Sequence, residues 1–275
     1  YLQLEPLHRL GLIADRDERW RNVEYAFYKT EAERLLASHS LSDLVQAEAK
    51  AQQAWQVAPD NQRTAAELLL HNVVSQAVLK EAALEAASAN PGPAGAVHRL
   101  QAKLEQYPFL LNNARVRSAM MRYFLDLEDY ESAAQQARLM AYVPEEQGQA
   151  DRWLALITAV ADFGRGGKAQ AVRILVDLRE RAQQTSSAAF DDLLQYSVNR
   201  LLAGLRAELE PTAPLLDRVQ QLDLILQLSP SDGFARNELN RLAGGLERLA
   251  RQRCDEFQGL RLGGSLATSL DACAK

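Results

Sequence analysis

The stretch Asp162–Ala171, DFGRGGKAQA, gathers an acid, three glycines and a lysine. Two phosphate chemistries use such residues. In a Walker-type loop, glycine backbone N–H groups wrap the phosphates, a lysine neutralises them, and a hydroxyl holds magnesium. Counting back from Gly167 and Lys168, Asp162 falls where the first glycine belongs and Ala169 where the hydroxyl belongs. The preceding segment has the pattern of a helix led by Trp153, whereas such a loop follows a strand. A kinase-type DFG needs a glycine-rich loop, a strand lysine and an HRD segment upstream, and the sequence has none of them. The same glycines suit a turn between two helices, because glycine adopts positive φ without steric cost. The stretch is expected to be that turn.

The remaining reactive side chains do not assemble into a motif. His8, His39, His71 and His98 lie in separate segments, with no HExxH and no pair spaced by four. Cys254 and Cys273 lack CxxC spacing and a neighbouring histidine, which argues against zinc. A disulfide between them would close a loop of about 18 residues, worth roughly 3 kcal/mol in the chain-entropy account; two reduced thiols are the alternative. The pairs Glu145–Glu146 and Asp191–Asp192 are adjacent, so their side chains diverge on a helix and better suit first turns, where the dipole favours anions. No serine or cysteine has a nucleophile context. The sequence therefore assigns no catalytic, cofactor-binding or metal-ligating residue, and the chain is expected not to be an enzyme.

What must be positioned is helical. Alanine and leucine dominate and β-branched residues are few, a mix that favours helix. No convincing period-two segment is present, so essentially no sheet is expected. Ala47, Ala51 and Ala54 share a helix face that ends at Pro59, and Asp60 is expected to cap the next helix. Val116, Met120 and Phe124 form the stripe of one helix; Tyr130, Ala133, Ala137 and Met140, before Pro144, form that of its partner. Trp153, Leu156 and Val160 precede Ala171, Leu175 and Leu178 in the same way. Phe190, Leu194, Val198, Leu201 and Leu205 line a long helix, and Leu215, Val219, Leu222 and Leu226 line its partner. Leu239, Leu242, Leu246 and Leu249 mark a terminal helix.

These segments resemble the tetratricopeptide repeat, a helix–turn–helix unit of about 34 residues, most clearly over residues 43–59 and 114–183. Met120, Phe124, Ala133 and Trp153 fall on the pattern. Arg117 stands where a tryptophan belongs, Ala51 and Ala137 where an aromatic belongs, and Arg218 where an alanine belongs. The resemblance implies an all-α, right-handed superhelical solenoid forming a single domain over 1–275. Helical pairs are expected at 22–58, 61–107, 113–143, 150–183 and 188–229, with a capping helix at 233–259 and an irregular tail at 260–275.

In that family the first helices line a concave groove. The resemblance thus points to Arg115, Ser118, Arg122 and Asp126, which follow at intervals of three, four and four on the face away from Val116. Asp151, Thr158 and Asp162 occupy related places one unit later, and Lys29 does so in the earliest unit. His71 and Asn72 interrupt the apolar run LLLHNVV, either as groove residues or as ordinary polar positions. The two arginines suit a carboxylate of a bound peptide; a solvated face with an Arg122–Asp126 pair is the alternative.

The expected role is a non-catalytic scaffold that captures a partner protein, with no cofactor. Alternatives are a sensor whose groove takes a peptide or small molecule, and an enzyme built on a solenoid. A net charge of −5 gives no reason to expect nucleic acid. No apolar run approaches the roughly 20 residues that cross a bilayer. The chain starts at Tyr1 rather than methionine, which leads us to expect a leader or anchor ahead of it. With arginine favoured over lysine and abundant alanine, a bacterial cell-envelope assembly, of the secretion or exopolysaccharide-export class, is the expected setting; the cytoplasm is the alternative.

Overall fold

The computed structural model describes residues 5–11, 18–38, 40–182 and 187–262, with side chains up to 256. The described residues are α-helical with short 3-10 turns, and no strand occurs among them. By chain contacts the protein divides into two compact units, Tyr1–Ala161 with Ala182–Leu194, and Asp162–Arg181 with Gln195–Lys275.

In the first unit a short α1 (Glu5–Arg9) precedes α2 (Glu18–Leu36) and α3 (Leu41–Val57). Ser40 starts α3 by accepting from the Asp43 amide at 3.2 Å, which satisfies one of the orphan donors of the first turn. Ala47, Ala51 and Ala54 are fully buried. Ala47 and Ala51 meet Ala32, Leu35 and Val73, while Ala54 meets Tyr25, Ala58 and Ala66. One alanine face thus serves the helix before it and the helix after it, α4 (Arg63–Ala86). Asp60 does not cap α4: it opens a separate 3-10 turn, Asp60–Gln62, and the N-cap position falls on Gln62. The Gln62 amide donates to the Pro59 carbonyl at 2.8 Å, which closes this tighter turn with Pro59 at its N-cap and Asp60 inside it.

α5 (Pro93–Gln106) folds back on α4, and a Cβ on Gly95 would stand 2.3 Å from the Pro91 ring and 2.9 Å from Glu85. Only glycine permits that approach. α6 (Ala114–Asp126) is capped by Asn113, which accepts from the Val116 amide at 3.1 Å. Val116, Met120 and Phe124 are buried as the stripe predicts. α7 (Tyr130–Leu139) packs on α6, with Ala133 and Ala137 fully buried. The unit closes with α8 (Ala150–Gly164) up to Ala161 and the first turns of α10 (Ala188–Ala207).

The second unit holds the turn after α8, then α9 (Lys168–Ala182), the rest of α10, α11 (Leu215–Leu228) and α12 (Gly233–Leu262). The turn is built from the stretch that first suggested a phosphate loop. The Gly167 amide donates to the Asp162 carbonyl at 2.8 Å and the Gly166 amide to the Phe163 carbonyl at 3.0 Å. With Gly166 at φ +93°, this is a Schellman ending, which satisfies the last carbonyls of the helix. A helix rather than a strand precedes it, and Lys168 pairs with Glu208.

In α11 the buried positions are Leu222, Ile225 and Leu228, whereas Leu215 is exposed and Val219 only half-buried. The helix is therefore rotated from the predicted stripe. Arg218 explains the rotation: its guanidinium reaches Glu238 of α12 at 2.5 Å, so this side of α11 faces α12 through an ion pair. Glu238 also accepts from Arg241, and the two guanidiniums hold its carboxyl down at about 2. The predicted stripe of α12 is covered only in part. Leu239 and Leu242 are half-buried, but Leu246 and Leu249 are exposed, because α11 ends before it can reach them. Cys254 is exposed on α12, while Cys273 and the tail beyond Leu262 lie outside the described residues.

Two predictions follow from these helix ends. Gly166→Ala should lower unfolding stability by about 1 kcal/mol in a denaturant titration, because the new Cβ meets no atom within 4 Å and the cost is backbone strain alone. Asp232, nearly buried, accepts from the Ala235 amide at 2.9 Å and pairs with Arg206; the cap and the guanidinium hold its carboxyl below the ordinary 3.8. A carboxyl lowered by folding stabilises the native state fully above the unfolded value and loses that contribution as pH falls through the folded one. Thermal melts from pH 6 to about pH 2 should show a steeper acid loss for the native chain than for Asp232→Ala.

Candidate functional site: a polar groove beside α4 and α6

A cavity of about 570 Å³ in the first unit lies between α4, α6 and the start of α10. Its α4 wall carries His71, Asn72 and Gln76; its α6 side begins at Asn113 and Arg115; Glu145 and Ser187–Ala189 close it. A second cavity of about 370 Å³ shares Leu79, Arg115 and Ala189 with the first and continues past Arg122 and Asp192. The two form one groove, with Arg115 common to both.

The groove exists because of how its walls are tied. The His71 ring stacks on Phe109, centroids 3.8 Å apart, and has Glu67 at 3.8 Å on its own helix. Asn72 accepts from Gln76 at 3.0 Å, a one-turn amide pair on the exposed side of α4. Beneath them Ser75 donates to the His71 carbonyl and accepts from the Asn113 side-chain Nδ2 at 3.0 Å, so the cap of α6 is fastened to α4. Ser118 donates to the Ala189 carbonyl at 3.1 Å, which fastens the start of α10 to α6.

Five of the predicted groove residues are therefore brought together: His71, Asn72, Arg115, Ser118 and Arg122, the arginines exposed. Ser118 lines the second cavity with them, but it is almost fully buried. It is 7 % exposed and its hydroxyl is used internally, so the regular stripe from Arg115 to Asp126 is broken at its second member. α6 is buried on most sides, which leaves its polar face narrower than an isolated helix would show. Asp126 is half-buried at the far end of α6 and lines neither cavity. Asp151 and Thr158 are exposed on α8, where Thr158 donates to the Leu154 carbonyl at 2.8 Å. Lys29 lies 3.9 Å from Glu33 on α2. Asp162 belongs to the second unit, where its carbonyl ends α8. None of these last four lines the groove.

Two polar residues shape the groove's support although the sequence did not single them out as polar contacts. Arg117, in the place of the expected tryptophan, is 5 % exposed. It donates to the Leu111 carbonyl at 2.5 Å and to Gln136 at 3.0 Å, filling an aromatic's place with an aliphatic stem and a satisfied head. Burial pulls its guanidinium below the ordinary value. Glu145 and Glu146 do diverge, but neither charges the first turn of an α-helix. They sit in a 3-10 turn, with Glu145 on the groove and Glu146 fully buried. Glu146 accepts from Arg152 at 3.0 Å and from the Trp153 indole at 2.8 Å. Arg152 in turn lies over the Phe190 ring at 4.4 Å, and Phe190 meets Trp153 edge-on at 5.0 Å.

No group of three or more histidine, cysteine, aspartate or glutamate side chains that could hold a metal ion occurs among the described residues. No described helix is long and apolar enough to cross a membrane. The buried carboxylate behind the groove yields a test. Glu146→Ala should cost about 3 kcal/mol of stability, since it removes from a fully buried site the carboxylate that accepts from both Arg152 and the Trp153 indole, which is left without that acceptor. Chemical denaturation followed by Trp153 fluorescence would measure it. Comparisons with family models, with curated proteins and with solved structures give no match for this chain.

Proposed function

We propose that the chain is a non-catalytic scaffold of the tetratricopeptide kind, a right-handed solenoid that holds a segment of a partner protein in the groove beside α4 and α6. The observation that carries the reading is the groove itself. Residues from the first helices of two successive pairs, His71 and Asn72 with Arg115 and Arg122, meet along one continuous depression. Its lining mixes amides, two guanidiniums and a stacked aromatic surface, which can bond a peptide backbone and pair with a carboxylate. The packing supports the solenoid: each helix from α2 to α7 touches its neighbour in sequence, and α4 also touches α2 and α6. That is the order expected when first helices stack on one another.

A second reading, a sensor for a small molecule, is favoured by the cavity volume, which lies in the range of small-molecule sites. A bacterial cell-envelope assembly remains the proposed setting, on composition alone.

Arg115→Ala combined with Arg122→Ala should abolish co-purification of a native partner while the melting temperature stays within about 2 °C, as exposed substitutions usually do. Retained capture by the double variant sinks the groove reading. A photo-crosslinking residue placed at Asn72 distinguishes the two readings, since a protein adduct supports the scaffold and its absence alongside a bound metabolite supports the sensor.

A further inference from the structure

The groove beside α4 and α6 carries charge of both signs, from different elements. Arg115 and Arg122 stand on α6, seven residues apart, so they share a helix face about 10.5 Å apart along the axis. Glu145, on the 3-10 turn before α8, and Asp192, in the first turns of α10, line the same groove. Arg115, Glu145 and Asp192 are exposed, and their side chains make no hydrogen bond or ion pair among the described residues. On α2, by contrast, charges find each other, Lys29 with Glu33 and Arg34 with Glu31.

The α4 wall offers contacts to a backbone. Asn72 accepts from Gln76, which leaves the Asn72 Nδ2 as a donor and the Gln76 Oε1 as an acceptor. An extended peptide unit has an N–H and a C=O to meet them, whereas a helix has used both within itself. The arginine spacing then selects among extended forms. Neighbouring side chains on one face of a β-strand stand about 6.7 Å apart, too close for Arg115 and Arg122. In polyproline II every third side chain shares an edge, about 9.3 Å apart, a distance that two flexible arginines can match. His71 stacked on Phe109 adds the aromatic surface on which proline rings pack.

We propose that the groove binds a polyproline II segment of a partner protein with a three-residue charge pattern of acid, base and proline. Successive side chains of such a segment turn by about 120°. Its acids therefore line the edge toward Arg115 and Arg122, and its bases the next edge, toward Glu145 and Asp192. This inference rests on the groove reading above and adds the chemistry of the occupant. A uniformly acidic segment would set one edge against the two carboxylates, and a uniformly basic one would set an edge against the two guanidiniums.

Fluorescence anisotropy of labelled peptides with the full chain tests this. A peptide of three Glu-Lys-Pro repeats should bind at least about tenfold more tightly than peptides of Glu-Glu-Pro, Lys-Lys-Pro or Gln-Gln-Pro repeats. Arg115→Glu with Arg122→Glu should shift the preference to Lys-Lys-Pro, and Glu145→Lys with Asp192→Lys should shift it to Glu-Glu-Pro. All four positions are exposed, so circular dichroism should be unchanged in both variants. Equal or absent binding of the peptides by the native chain overturns the proposal, as does either variant keeping the native ranking. If alanine at Arg115 and Arg122 abolishes partner capture while the peptides bind equally, the groove stands and the charge pattern falls. If capture survives those alanines as well, both fall.

Discussion

Packed helices stand about 8–10 Å apart, and the side chains at the crossing decide where in that range they fall. In this protein the deciding residue is alanine. Ala47, Ala51 and Ala54 give α3 a face with almost no projection, and α2 and α4 both close onto it. Ala133 and Ala137 give α7 the same kind of face toward α6. Each pair has too little apolar surface to be stable alone, so its remaining stripe must be covered by the next pair. The groove is a by-product of this constraint. First helices held at close spacing expose only the residues that point away from both neighbours, and Arg115 and Arg122 are what α6 has left.

The pairs themselves were legible in the sequence because periodicity is a local property. Trp153, Leu156 and Val160 need only a helix to share a face, and all three are buried. The turn at Gly166 was legible for a similar reason, since its chemistry is complete within six residues. The roles of Ser118, Arg117 and Glu146 were not. Whether a serine or a glutamate faces water depends on what arrives from elsewhere in the chain, and periodicity carries no information about arrivals. The rotation of α11 belongs to the same class. Its leucines permit more than one buried face, and the choice is made by Arg218 reaching Glu238, twenty positions away.

The ends of α6 and α8 show one geometry reached by two means. Glu128 occupies the left-handed position at φ +59° that Gly166 holds after α8, with the Asp129 amide bonded to the Phe124 carbonyl at 2.9 Å. Asp129 then caps α7 by accepting from the Ser132 amide at 3.0 Å. A residue that terminates one helix and a neighbour that starts the next leave no slack between them. The α6–α7 connection accepts backbone strain at Glu128, whereas the glycine turn after α8, of the same three-residue length, needs none.

The bond from Ser118 to the Ala189 carbonyl joins positions 71 residues apart. Most other helix contacts in this unit join neighbours, and such contacts form early because little chain entropy is spent in closing them. The wall that α10 contributes to the groove is of the opposite kind. It is in place only after several helical pairs have assembled between its two anchors, and a local opening there removes that wall of the groove while the helices beneath remain folded. Groove and fold are thereby separable in this protein: the helical pairs are assembled from short-range contacts, and one wall of the groove is held by a long-range one.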